Sequence, residues 1–154
     1  MRLHLLTVGN PRQQGLAEAG REYAKRLGRY VKFEESVVKE EKAKNLAPAQ
    51  VIEKEGERIL DRLRPGQFVI ALDRSGKAVT SEQLSQKVEE VARTKGEAVF
   101  VIGGANGLSK RVVDRANWLW SLSSQTYPHE MARVMVLEQL YRAQTILRGE
   151  PYHK

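Results

Sequence analysis

Five short apolar runs punctuate this chain, and amphipathic stretches separate them. Leu3 to Val8 is apolar-rich and stops at Gly9-Asn10-Pro11, the pattern of a strand ended by a turn. Val31 to Val38 reads as a second strand with imperfect alternation: Val31, Phe33 and Val37 are apolar, Lys32 and Glu34 polar. Phe68 to Leu72 and Val99 to Ile102 are apolar throughout, which suits strands covered on both faces of a parallel sheet. Trp118 to Trp120 is the fifth run.

The intervening segments carry helical spacing. Arg12 to Arg29 places Leu16, Tyr23, Leu27 and Tyr30 toward a core, with Arg21, Lys25 and Arg29 on a separate basic stripe. Lys39 to Asn45 is charged, mixed in sign, and reads as a mobile loop. Ala47 to Leu63 predicts a helix with Ile52, Gly56, Ile59 and Leu63 inward and Pro48 in its first turn, stopped by Arg64-Pro65-Gly66. Asp73 to Lys77 predicts a turn. Thr80 and Gln83 form a capping box for a helix that presents Leu84, Val88, Val91 and Ala92 and ends at Lys95-Gly96. A short helix over Lys110 to Ala116 turns Val112, Val113 and Ala116 inward, and a long one runs from Pro128 to Arg148-Gly149. Strand and helix alternate throughout, so the expected fold is one α/β domain over residues 1–154, with a mostly parallel sheet and helices on both faces.

The last helix departs from the usual amphipathic pattern. Met131, Val134, Met135, Val136, Leu137, Leu140, Tyr141, Ala143, Ile146 and Leu147 cover most of its circumference. A helix apolar nearly all round needs cover on two sides. The sheet supplies one side and a second copy of the chain the other, so a homodimer is expected.

Two loops follow strand ends and carry the candidate chemistry. The first is Gly103-Gly104-Ala105-Asn106-Gly107, whose glycines permit positive φ and close approach of a ligand to backbone. No G-K-[ST] follows and the spacing is not G-x-G-x-x-G, so neither a phosphate loop nor a dinucleotide fingerprint is present. The second, Ser121 to Pro128, precedes a helix N-terminus and offers small side chains and backbone polar groups suited to a purine edge. In an open parallel sheet, ligands bind outside the carboxyl ends of strands, where both loops fall. His4, His129 and His153 lie far apart and the chain has no cysteine, so no metal site is expected. The default role of His129 is a backbone-bonding residue at a helix start. The tail Gly149 to Lys154 reads as frayed on composition alone, although Tyr152 and His153 would also suit base stacking and hydrogen bonding.

Charge narrows the partners. The formal net charge is +7, which favours an anionic partner, nucleic acid first. No run is long enough to cross a bilayer, no cleavable signal opens the chain, and the absence of cysteine suits a reducing cytoplasm.

Several strings then fall together: V-I-G-G-A-N-G-L-S at 101–109, W-S-L-S-S-Q-T-Y-P-H at 120–129, R-V-M-V-L-E-Q-L-Y-R-A at 133–143, the terminal P-Y-H-K, and M-R-L-H-L-L-T-V-G at the start. In order and over the whole chain they closely resemble the RlmH family, SPOUT-superfamily methyltransferases that act on a pseudouridine of large-subunit (23S) ribosomal RNA. The resemblance implies a C-terminal trefoil knot, a homodimer and S-adenosylmethionine as cofactor. Carried over by position, it implies cofactor contacts at Leu72, Gly103 and the run Leu122, Ser123, Ser124, Gln125, Thr126 and Tyr127, with Gly104 beside them. It further implies methyl transfer to N3 of the pseudouridine on ribosomal RNA in the large subunit or whole ribosome. His153, Tyr152 and Arg142 are the candidates for proton transfer and for placing the target nucleotide. Arg21, Lys25, Arg29, Lys110, Arg111 and His129 are candidate RNA contacts. Arg133 is equally compatible with a structural ion pair. A non-catalytic ribosome- or RNA-binding module is the alternative that charge and size leave open, and a nucleotide-using small-molecule enzyme is the third.

Overall fold

The computed structural model describes residues 1–42 and 44–154. In chain order the elements are β1 (Arg2–Val8), α1 (Gln14–Leu27), β2 (Lys32–Val38), α2 (Pro48–Arg62), β3 (Phe68–Ala78), α3 (Ser81–Lys95), β4 (Glu97–Ile102), α4 (Lys110–Arg115), β5 (Trp118–Ser121) and α5 (His129–Leu147). The strands form one sheet in the order β2-β1-β4-β3-β5, and every pairing is parallel.

Strand periodicity divides the core. On β4, Ala98, Phe100 and Ile102 point to one face, where they meet Leu27 of α1, Leu84, Val88 and Val91 of α3, and Val136, Leu137 and Leu140 of α5. Val99 and Val101 point to the other face, against Ile59 of α2 and Val112 of α4. Both faces of β4 are therefore covered, as its uninterrupted apolar run predicts. Phe100 is fully buried and meets Trp120 edge-on at 6.2 Å between ring centroids. Burying a side chain of that size stabilises the fold by about 1.5–3 kcal/mol.

Helix ends follow local chemistry. Thr80 accepts from Gln83 N at 3.1 Å while the Gln83 side chain accepts from Thr80 N at 2.9 Å, which is the expected capping box. Gly96 closes α3 in the left-handed conformation at φ 72°. α1 has no side-chain cap of its own. Glu130 of α5 supplies one from a distance, accepting from the backbone N–H groups of Arg12 and Gln13. Those two bonds hold the Glu130 carboxyl below its usual range.

Four expectations need correction. The segment 73–77 does not end β3. Leu72 and Lys77 both pair with Trp120, so residues 73–76 form a bulge within one long strand. Gly76 makes this possible, because a Cβ there would lie 2.7 Å from the Leu119 carbonyl carbon. On α2 Gly56 and Ile59 are buried and Leu63 packs against the core as expected, but Val51 and Glu55, not Ile52, complete the buried face. Gly56 lies against Ser109, whose hydroxyl a Cβ would overlap. On α4 Val112 is buried and Ala116 packs against the core as expected, whereas Val113 does not join the core, since so short a helix offers one contact row. The charged loop Lys39 to Asn45 contains Ala43, outside the described residues. Its first residues are tied to α2, where Arg58 donates to the Lys39 carbonyl at 2.9 Å and pairs with Glu41.

Arg133 of α5 is a structural ion-pair partner. It is buried and grips Glu35 of β2 with both edges of its fork, Nε to Oε2 at 2.6 Å and Nη2 to Oε1 at 2.7 Å. Gly20 of α1 leaves room for the guanidinium, and a Cβ at that position would overlap Nη1. Removing one partner of such a pair leaves a buried charge uncompensated. Glu35→Ala should therefore lower stability in urea unfolding by an amount at the lower end of roughly 3–5 kcal/mol, since Glu35 is partly exposed. Gly20→Ala should destabilise through the same pair.

His4 supplies a pH test. Burial lowers its pKa, outweighing nearby Glu34, and its Nε2 lies 2.7 Å from Ser36 Oγ. The fold prefers the neutral ring, so the unfolded chain takes up more protons as pH falls through the ordinary histidine value, about 6.5. Stability should fall from pH 7 to pH 5.5, and His4→Gln should flatten that part of the melting-temperature profile.

Candidate functional site

Because every strand runs the same way, the carboxyl ends of β3, β4 and β5 meet at one edge. A cavity of about 450 Å³ opens there. Eight of the nine positions singled out as cofactor contacts line it: Leu72, Gly103, Gly104, Leu122, Ser123, Gln125, Thr126 and Tyr127. Ser124 is exposed at the crown of the loop and does not line it, although its neighbours do. His129 and Ala132 from the start of α5 complete one side. Asp73 and Arg74 of the β3 bulge also line it. Reading that segment only as a turn missed them, although its place after an apolar strand was the available signal.

Each loop is shaped by its own bonds. In the glycine loop, Gly107 N–H donates to the Gly104 carbonyl at 3.1 Å, with Gly107 at φ 90°. Gly103 lies so close that a Cβ on it would stand 2.8 Å from the Gly107 carbonyl carbon and oxygen. In the second loop, Ser121 Oγ donates to the Ser123 carbonyl at 2.9 Å, and Gln125 N–H donates to Ser123 Oγ at 3.1 Å. Arg74 Nη1 donates to Thr126 Oγ1 at 3.1 Å and joins this loop to β3. The apolar walls are Leu72, Ile102, Leu108, Trp120 and Leu122. With the backbone of two loops, they make a mostly neutral cleft of a size that holds small-molecule ligands.

Arg142, Tyr152 and His153 assemble elsewhere, and none lines the cavity. The tail is not frayed but docked. Tyr152 Oη donates to Glu138 Oε1 at 3.0 Å and its ring meets Tyr141 edge-on at 4.7 Å. Arg142 lies over the Tyr152 ring at 4.8 Å and pairs with Glu138. Arg142 Nη1 donates to His153 Nδ1 at 3.1 Å, and His153 Nε2 lies 2.8 Å from Glu82 Oε1 on α3. Since guanidinium is donor-only, Nδ1 accepts and Nε2–H donates to Glu82. Both ring nitrogens are thus engaged. Burial first, then Tyr23 and Glu138, push the Tyr152 hydroxyl well up, so it stays protonated at neutral pH.

The candidate RNA contacts fall on two surfaces. Arg21 and Lys25 on α1 and Arg29 just beyond its end are all exposed, and none lines the cavity. Lys110 and Arg111 are exposed at the start of α4, two residues after the last lining position of the glycine loop, with Lys110 Nζ 2.5 Å from Asp114. Among the described residues no group of three or more His, Cys, Asp or Glu side chains could hold a metal ion, and no helix is long and apolar enough to cross a membrane.

The sequence profile of the family described as "Predicted SPOUT methyltransferase" matches residues 1–153. The chain belongs to the SPOUT methyltransferase family. Over its full length, and all of theirs, it is 46% identical to the "Ribosomal RNA large subunit methyltransferase H" of Gemmatimonas aurantiaca and 47% identical to that of Anaeromyxobacter sp.. Two solved structures share the SPOUT chain's fold at low identity. A "probable methylase family protein" from Haemophilus influenzae is 16% identical with a TM-score of 0.53, covering 99% of this chain and 70% of that one. A "Probable Methyltransferase" from Bordetella pertussis is 14% identical with a TM-score of 0.55, covering 92% and 95%.

The glycine loop gives the site's most direct steric test. Gly103→Ala forces its Cβ against Gly107 backbone, which cannot swing aside as a side chain would. Overpacking of this kind costs about 1–3 kcal/mol. The variant should unfold at lower urea while keeping its helical circular dichroism, and Gly15→Ala, with nothing within 4 Å of its Cβ, should not.

Proposed function

We propose that this protein is an S-adenosylmethionine-dependent methyltransferase that methylates N3 of a pseudouridine in 23S ribosomal RNA, acting in the cytoplasm as a homodimer on the assembled large subunit or ribosome. The observation that carries this reading is the single cavity formed by Leu72, the glycine loop and the run through Tyr127, in a chain of this family whose relatives bear the name of a large-subunit RNA methyltransferase.

The residues present fit the cofactor. Leu72, Leu122 and their apolar neighbours would hold an adenine between them, while Gly103, Gly104 and backbone groups of Ser123, Ser124, Gln125, Thr126 and Tyr127 would meet its polar edge. When bound, the cofactor supplies a methyl group on a positively charged sulfur. The protein's share of an in-line transfer is chiefly placement. N3 of the target is an imide N–H and must lose its proton before it attacks. His153 can take that proton only by giving up its bond from Arg142. Otherwise water serves, with His129 in the cavity the weaker candidate. Arg142 and Tyr152 would place the nucleotide by charge and by stacking.

The separation of these groups supports a site shared between protomers. Arg142 stands thirteen positions after His129 of the cavity on α5, roughly 20 Å along a helix axis at 1.5 Å per residue. A tail cluster that far from its own cavity would serve the cavity of a second copy. α5 supports the dimer in another way, for Met131 is 42% exposed and Val134, Met135, Ile146 and Leu147 are only half-buried. The chain path supports a knot. β5 is added beyond β3, and α5 then returns to the opposite face from α4, where it packs with α1 and α3. A threaded C-terminal segment has this path.

The decisive experiment incubates purified protein with S-adenosylmethionine and ribosomes from a strain lacking the modification, then maps ribosomal RNA by mass spectrometry. One added methyl on N3 of a single pseudouridine is expected; a cofactor-independent RNA binder would add none. His153→Ala should slow methylation at least tenfold with cofactor affinity near wild type. Loss of cofactor binding instead would make the tail structural. Replacing Arg21, Lys25 and Arg29 together by Glu should weaken RNA binding and flatten its salt dependence; an unchanged slope would mean a merely solvated stripe.

A further inference from the structure

We propose that Asp73 and Arg74 form a paired recognition site for the zwitterionic α-amino-acid end of the methyl donor, the carboxylate binding Arg74 and the ammonium Asp73. This rests on the reading of the cavity as an S-adenosylmethionine site. Apart from His129, these two are the only charge-bearing side chains among the described residues lining the cavity. They are adjacent, of opposite sign, and neither takes part in an ion pair among the described residues. A ligand that ended in phosphates would find one cation and an opposing carboxylate, and a neutral nucleoside would leave both charges unmatched. A ligand with a neutral body and one charge of each sign at its end satisfies both.

The bulge also holds the two groups ready. Asp73 Oδ2 is occupied by the backbone N–H of Ser75 at 2.9 Å and by the Ser75 hydroxyl, which leaves Oδ1 for an ammonium. Arg74 spends Nη1 on Thr126, which leaves the rest of its fork for a carboxylate. Gly76 presses the bulge onto the backbone of Leu119 and Trp120. Groups fixed before binding lose little freedom when the ligand arrives. Arg74 suits the role because its planar donors match a carboxylate edge.

The test compares two nucleosides by calorimetry on the full-length protein: S-adenosylhomocysteine, which carries the amino-acid end, and 5′-methylthioadenosine, which lacks it. Arg74→Ala and Asp73→Asn should each weaken S-adenosylhomocysteine about tenfold, the effect of losing one charge-assisted bond at a partly exposed site. Both should change methylthioadenosine by less than twofold. Arg74→Lys should fall between Ala and wild type. Equal losses on both ligands would make the bulge a structural element and overturn the proposal, as would no loss on either or a loss confined to RNA binding. Wild-type protein that bound neither nucleoside would overturn the cofactor reading itself and this proposal with it, an outcome distinct from the others.

Discussion

Parallel pairing of β4 with both β1 and β3 is the constraint from which the rest of the molecule follows. Parallel strands cannot be joined by tight hairpins, so each connection must cross back over a face of the sheet. Helices then cover both faces, and the central strand β4 must be apolar on both sides. Ala98 through Ile102 meets that demand with five consecutive buried residues. The same pairing sends each strand's carboxyl end to one edge, so loops separated by a helix in the chain become neighbours. The cavity is a consequence of direction. Only β3 breaks its pairing in mid-course, and it does so at that edge, where the bulge adds Asp73 and Arg74 to an otherwise neutral wall.

α5 ties this edge to the rest of the fold. Its first turn borders the cavity through His129 and Ala132 and caps α1 through Glu130. One turn on, Arg133 pins the edge strand β2 through Glu35, beneath a glycine of α1 that leaves it space. Its second half carries Glu138 and Arg142, which dock the tail. A helix with this many attachments cannot present a simple polar face, because Arg133, Gln144 and Thr145 are themselves buried. Its apolar circumference therefore has two sources: real burial against the sheet, α1 and α3, and a half-exposed remainder around Met131 and Met135. The second source supports the proposed dimer.

Much of this was legible in the residues. Apolar runs marked four strands and an imperfect alternation β2, and Thr80 with Gln83 marked a helix start by a local bond that needs no tertiary partner. The loops' place at strand ends was legible, but a glycine loop after a buried strand is as often a structural turn as a site, and only the family resemblance singled out its positions as cofactor contacts. What escaped depended on contacts between distant segments. The buried face of α2 includes Glu55, which accepts from the Glu41 N–H, a partner that no periodicity within α2 contains. The β3 bulge requires Gly76 to meet β5 backbone, so D-R-S-G-K resembles an ordinary turn until β5 is placed. The tail's order comes from Glu82, Glu138 and Tyr141 on two other elements, none of which shows in P-Y-H-K.

The neutrality of the cavity wall bears on catalysis. A sulfonium loses its positive charge as the methyl leaves, so a carboxylate set against it would stabilise the starting state more than the transition state. Only interactions that strengthen toward the transition state accelerate the step. Leu72, Leu122, Trp120 and the glycine loop place no fixed negative side chain along the wall, and the one lining carboxylate is adjacent in sequence to Arg74. Charge confined to the bulge can hold the far end of a ligand while leaving its reactive centre unneutralised. On the proposed function, this distribution would hold the donor's far end without stabilising its sulfonium before the transfer.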